Sequence, residues 1–181
     1  MRRFIRGWEP VAGTPRWAVV AAWATVGCVI PSSVWRSAAG FGAGLGMSDT
    51  WRELQQIPGT GTVYVLSLSV LSIGFASLTL GLVYPWGERV PAGMPVVGGR
   101  RYPTWLVAGL AAAGVLPLAV IVVQSAANWD VLIGAAGRPS PGWVSLATAC
   151  YLPAALWPVL VAAVTVAYVR RRARPPSRTP L

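Results

Sequence analysis

Few side chains in this chain can carry covalent, acid–base or metal chemistry. Cys28 and Cys150 are its strong nucleophile candidates and its soft ligands, the candidate acids are Asp49, Glu53, Glu88 and Asp130, and histidine is absent. Without histidine neither a Cys–His nor a Ser–His pair can form, and zinc lacks its usual ligand complement. The four acids fall in connecting segments and show no paired spacing. The expectation is a protein with no catalytic residue, no metal site and no cofactor.

The two thiols have a second reading, set by the elements that carry them. Cys28 lies on a helical stripe with Ala21 and Ala24, and Cys150 on one with Ala147 and Ala154, so both should face neighbouring helices. Each is about seven residues, roughly 10 Å of helix, from the same end of its apolar run. They are therefore candidates for a disulfide, if their Cα atoms come within about 7 Å, or for two packed thiols acting as small hydrophobes.

Those apolar runs dominate the chain. Of 181 residues 55% are hydrophobic, which leaves too few polar groups to cover a soluble globule of that size. Four runs, at about 17–34, 62–85, 104–127 and 143–169, are near or above the roughly 20 residues that cross about 30 Å of hydrocarbon as a helix. The fold class expected is all-α: a four-helix transmembrane bundle (17–169) between a basic N-terminus (1–16) and a disordered basic tail (170–181). The first run starts late and has no clear small-x-small cleavage site before Trp35 and Arg36, so it reads as a retained span.

Charge sets the orientation. All fifteen basic residues are arginine, and the net charge is +10. With both termini on one face, twelve arginines fall there and only Arg36, Arg52 and Arg138 on the other, so the positive-inside rule places both termini in the cytoplasm. Arginines bordering spans are explained by topology and by anionic lipid heads, and no nucleic-acid partner is expected.

Within the spans no ionisable residue is expected near the middle, which argues against proton-coupled transport. Ser69, Ser72 and Ala76, the pair Ser77 and Gly81, and the pair Gly109 and Ala113 have the spacing of close helix contacts. Pro117, Pro153 and Pro158 should bend their spans. In the outer connection "TWRELQQIPG", residues 50–59, reads as a short helix with Thr50 and Glu53 as a capping box. The preceding "GFGAGLG" is no phosphate loop, because Leu45 and Met47 stand where the third glycine would be.

The connector between the second and third runs has the most individual sequence. It reads Pro85-Trp86-Gly87-Glu88, then Pro91 and Pro95, then Gly98-Gly99-Arg100-Arg101-Tyr102-Pro103. Trp86 suits the interface and Glu88 is within reach of Arg100 or Arg101, so Trp86, Glu88, Arg100 and Arg101 are the candidate lipid headgroup clamp. This connector resembles that of uncharacterised four-span integral membrane proteins of high-GC actinobacteria. The resemblance covers mainly the second and third spans and their loop; it implies four helices in a bacterial cell membrane and supplies no activity.

Two function classes follow. One is a non-enzymatic accessory or structural membrane component whose partners are membrane lipids, anionic ones included, another membrane protein or a second copy of itself. The other is a small transporter or permeation unit. The lack of intramembrane charge and the shortness of the chain favour the first.

Overall fold

A computed structural model describes residues 9–88, 102–135 and 140–173. They are mostly helical, with no strand among the described residues. Four helices are long and apolar enough to cross a membrane. The first span is α1 (Arg16–Gly40). A short helix, α2 (Asp49–Leu54), at the end of the bundle away from the termini, called its outer end for that position alone, leads to the second span, which is α3 (Thr60–Leu78) extended by a 3-10 turn at Thr79–Leu82. After a second 3-10 turn at Pro85–Gly87 the third span is α4 (Thr104–Ala127), followed by the short α5 (Trp129–Ala135). The fourth span, Pro141–Ala173, is α6 (Pro141–Tyr151) and α7 (Trp157–Ala173) joined by a 3-10 segment at Leu152–Leu156.

The break in the fourth span falls where Pro153 removes a backbone donor and crowds the preceding turn. Pro117 sits inside α4, and Pro31 inside α1 was not among the expected bends. The larger departure is the end of the first span. No glycine or proline interrupts Ser32 to Ala39, so the helix runs on to Gly40, and only Gly42, at φ +90°, turns the chain. Trp35 and Arg36, expected in the outer loop, are therefore helical. The outer helix is capped by Ser48 rather than Thr50: the Ser48 hydroxyl accepts the Trp51 N–H at 3.2 Å.

α1 is the central element, packed against both α3 and α7, while α4 leans on α7. The buried face of α1 follows helical spacing through Ala18, Ala22, Thr25, Cys28 or Val29, Ser32, Trp35 and Ala39. Small residues there let backbones approach closely, as membrane helices require. One apolar cluster joins Ala18 and Ala22 to Leu80, Val83, Val164 and Tyr168 near the termini. A second joins Cys28 and Val29 to Ala76, with Trp157 and Leu160 against it. Ser69 and Ala76 are buried as their stripe implied, and the Ser69 hydroxyl donates to the Val65 carbonyl at 2.8 Å and reaches Ser33 O at 3.4 Å. Gly109 and Ala113 differ: they lie on an open face of α4, which has no buried residue.

Candidate functional site

At the end of the bundle that carries both termini, Arg171 of α7 is the hub. It pairs with Glu88, donates to the Thr14 hydroxyl, reaches the Leu82 carbonyl at 3.3 Å, and its guanidinium carbon lies 5.5 Å from the centre of the Tyr168 ring. Arg172 beside it donates to the Tyr102 carbonyl at 2.8 Å and to the Tyr168 hydroxyl at 3.2 Å. The two arginines thus join the N-terminal segment, the end of the second span and the start of the third to the fourth span. Glu88, expected near Arg100 or Arg101, is held by Arg171; Arg100 and Arg101 lie outside the described residues. Trp86, half-exposed, packs on Gly81.

Cys28 and Cys150 are both free thiols. Cys28 is buried and donates to its own helix at Thr25 O, 3.1 Å away, and Cys150 is half-buried. The carboxylates are dispersed: Asp49 pairs with Arg52 within one helical turn, and Glu53 and Asp130 are exposed. Among the described residues no group of three or more Cys, Asp or Glu side chains is placed to hold a metal.

The space with chemical character lies between the spans. α3 and α4 do not pack along their lengths, and two cavities of about 600 and 620 Å³ fill the cleft that remains. Each is within the roughly 300–1,000 Å³ of small-molecule pockets. They lie end to end, with Phe75, Leu118 and Trp157 lining both. The one nearer the termini is bounded by Leu82, Trp86, Tyr102, Leu106 and Pro158 and is almost wholly apolar. Its walls are open between α3 and α4, so in a bilayer the cleft faces acyl chains.

The outer cavity differs in holding a charged side chain, Arg36. Its Nη2 donates to the hydroxyls of Ser33 and Ser72, each at 3.3 Å, while its Nε is buried without a partner. Arg36 shares this cavity with Ser32, Ser72, Ser125, Thr148 and Tyr151, amid leucine, isoleucine, valine and phenylalanine side chains. Trp129, at the rim, packs on Tyr151 with ring centres 5.8 Å apart. Ser72 and Thr148 give their protons to carbonyls one turn back on their own helices, at 2.7 and 2.8 Å, a habit of hydroxyls in apolar surroundings. The Ser72 oxygen is left free to accept from Arg36.

A first span ending at Val34 leaves Arg36 in a loop, outside the candidate residues. The signal that could have found it is the uninterrupted helical pattern through Ser32, Ser33 and Arg36, which sets the arginine one turn beyond a hydroxyl pair on a buried face. The outer rim is closed by Trp35 and Trp143, ring centres 6.1 Å apart, with Gly46 beneath.

Comparisons with protein families, with curated proteins and with solved structures find no match to this chain.

Proposed function

We propose that this chain is a non-enzymatic accessory component of a cell membrane that holds a membrane amphiphile in the lateral cleft between its second and third spans. The observation that carries the reading is the cleft itself: α3 and α4 stand apart, and the gap is walled by Leu68, Leu71, Phe75, Leu118 and Ile121. A dry apolar gap in a bundle loses the dispersion contacts that packing would supply, whereas an acyl chain restores them. The dispersed carboxylates and the free, separate thiols support a binding role over a catalytic one. The arginine-rich face that bears both termini suits a cytoplasmic surface, with the Trp86, Glu88, Arg100 and Arg101 connector at the headgroup level as a second contact for anionic lipid.

One observation favours a permeation unit instead: the two cavities meet at Phe75, Leu118 and Trp157 and together follow the length of α4. Native mass spectrometry of the protein released gently from its own membrane separates the two. Retained lipid is the result expected for the cleft. A bare protein with no lipid at all would reject the accessory reading and turn attention to solute flux through a variant in which Trp157 is made alanine.

A further inference from the structure

Four described arginines are not fully exposed, and three of them have strong acceptors. Arg52 pairs with Asp49, Arg171 with Glu88, and Arg172 donates to a backbone carbonyl. The fourth, Arg36, has only two serine hydroxyls, both at 3.3 Å, and no carboxylate among the described residues. A guanidinium is always charged and offers five donors in a planar fork. Neutral oxygens at that distance satisfy little of it, and a half-buried guanidinium in apolar surroundings without a counter-charge is costly.

The ordinary use of an arginine near a span end is to snorkel, reaching out along its flexible stem to headgroup water. Arg36 is about four residues, roughly 6 Å, from the end of α1, well within that reach. It turns instead across to Ser72 of α3 and lines the cavity. The cation is thus held inward, about one helical turn from the end of its span, at the mouth of an apolar slot whose rim carries Trp129 and Tyr151.

Building on the cleft reading above, we infer that the outer cavity is a headgroup site for an anionic phospholipid. The lipid's phosphate is bound by the free edge of the Arg36 guanidinium and by the hydroxyls of Ser125 and Tyr151, since those of Ser32, Ser72 and Thr148 donate to their own helices, and an acyl chain lies in the cleft toward Phe75 and Trp157. A phosphate supplies the anionic oxygens that Arg36 lacks, in a geometry its fork matches. The apolar walls explain why the ligand is an amphiphile rather than a free anion, which would leave them empty. The shape requires only one charged group on the ligand, at one end.

The test uses the full chain in nanodiscs and native mass spectrometry, comparing phosphatidylglycerol with phosphatidylcholine of the same acyl chains. The unaltered protein should retain phosphatidylglycerol preferentially, and Arg36→Gln should lower that preference about tenfold or more, as loss of a charge-assisted hydrogen bond implies, while still retaining lipid. Ser72→Ala, which leaves the cation in place but frees it from α3, should weaken the preference less. It keeps the test sharp should the Arg36 variant fold poorly. Equal headgroup preference in the Arg36→Gln and unaltered proteins would overturn the inference. Retention of both lipids without preference in the unaltered protein would also overturn it and leave the cleft reading standing; absence of any bound lipid would fell both. Thermal stabilisation by inorganic phosphate in detergent equal to that by phosphatidylglycerol would overturn the lipid as the source of the anion.

Discussion

Glu88 and Arg171 form an ion pair in which each side chain is 9% exposed, 83 residues apart in the chain, at the point where the second and fourth spans and the N-terminal segment converge. Removing one member of such a pair strands the other, and the cost is about 3–5 kcal/mol, well above that of an exposed pair. Glu88→Gln is therefore expected to lower the melting temperature in detergent markedly. Asp49→Asn, which breaks the Arg52 pair at an aspartate 83% exposed, should change it little. Equal effects of the two substitutions would show that the Glu88 pair is solvated.

The turn that delivers Glu88 to Arg171 is built on two glycines. A methyl group on Gly87 would run into the Gly81 backbone, and one on Gly81 would meet the Trp86 ring at 3.1 Å. Backbone cannot yield as a flexible side chain does, so Gly87→Ala should destabilise by about 1–3 kcal/mol. Gly109→Ala, where nothing lies within 4 Å, should be close to neutral. Guanidinium unfolding monitored by tryptophan fluorescence measures both, and a large loss at Gly109 would show that this open face of α4 is covered in the folded protein.

Much of the fold was legible because its signals are local. Runs of apolar residues marked all four spans, Pro153 marked the break in the fourth, and a capping signal marked the short outer helix, although its cap is Ser48 rather than Thr50. What escaped depends on partners distant in sequence. Trp35 and Arg36 resemble an interfacial end, although nothing between Ser32 and Ala39 breaks the helix, and the partners they meet, Trp143 and Ser72, are distant in sequence. The partner of Glu88 lay beyond any local rule, since Arg100 and Arg101 were nearer in sequence than Arg171. The Gly109 and Ala113 stripe has the spacing of a packed face, yet spacing alone does not say whether a neighbour exists. The outer cavity was invisible for the same reason: it is a space that all four spans line, and no single segment encodes it.

Trp35 and Trp143 tie the end of the first span to the start of the fourth at the outer rim. Their edge-to-face contact is of a kind worth about 0.5–1.5 kcal/mol beyond area burial. A double-mutant cycle with Trp35→Leu and Trp143→Leu should return a coupling in that range. Gly46 supports the same contact: its φ of +77° and a would-be Cβ only 2.6 Å from the Trp143 ring both require glycine. Gly46→Ala should therefore destabilise even in the Trp35→Leu background. Strict additivity of the two tryptophan substitutions would mean that the rings meet without energetic consequence.

The connector arginines offer a separate test of anionic-lipid contact at the opposite end of the bundle from Arg36. Replacing Arg100 and Arg101 together by glutamine should reduce retention of anionic lipid and leave the melting temperature unchanged, because Glu88 is held by Arg171. Combined with Arg36→Gln, the losses should multiply, as they do for distant and independent sites. Unchanged retention in the connector variant would remove Trp86, Glu88, Arg100 and Arg101 from the headgroup contacts.

Orientation links these arguments, since Arg36 meets the outer leaflet only if the termini are cytoplasmic. Thr14 and Arg171 touch, so both termini-bearing segments lie at one end of the bundle, and that end has twelve of the fifteen arginines by the order of spans. The positive-inside bias turns this asymmetry into a direction. In a background with Cys28 and Cys150 made alanine, Gly44→Cys should be labelled by an impermeant maleimide in intact cells, and Ser177→Cys only after lysis. Gly44 is a fair reporter because a side chain there meets nothing within 4 Å. The reverse pattern would invert the bundle, place Arg36 at the cytoplasmic leaflet, and move the search for its phospholipid to that side.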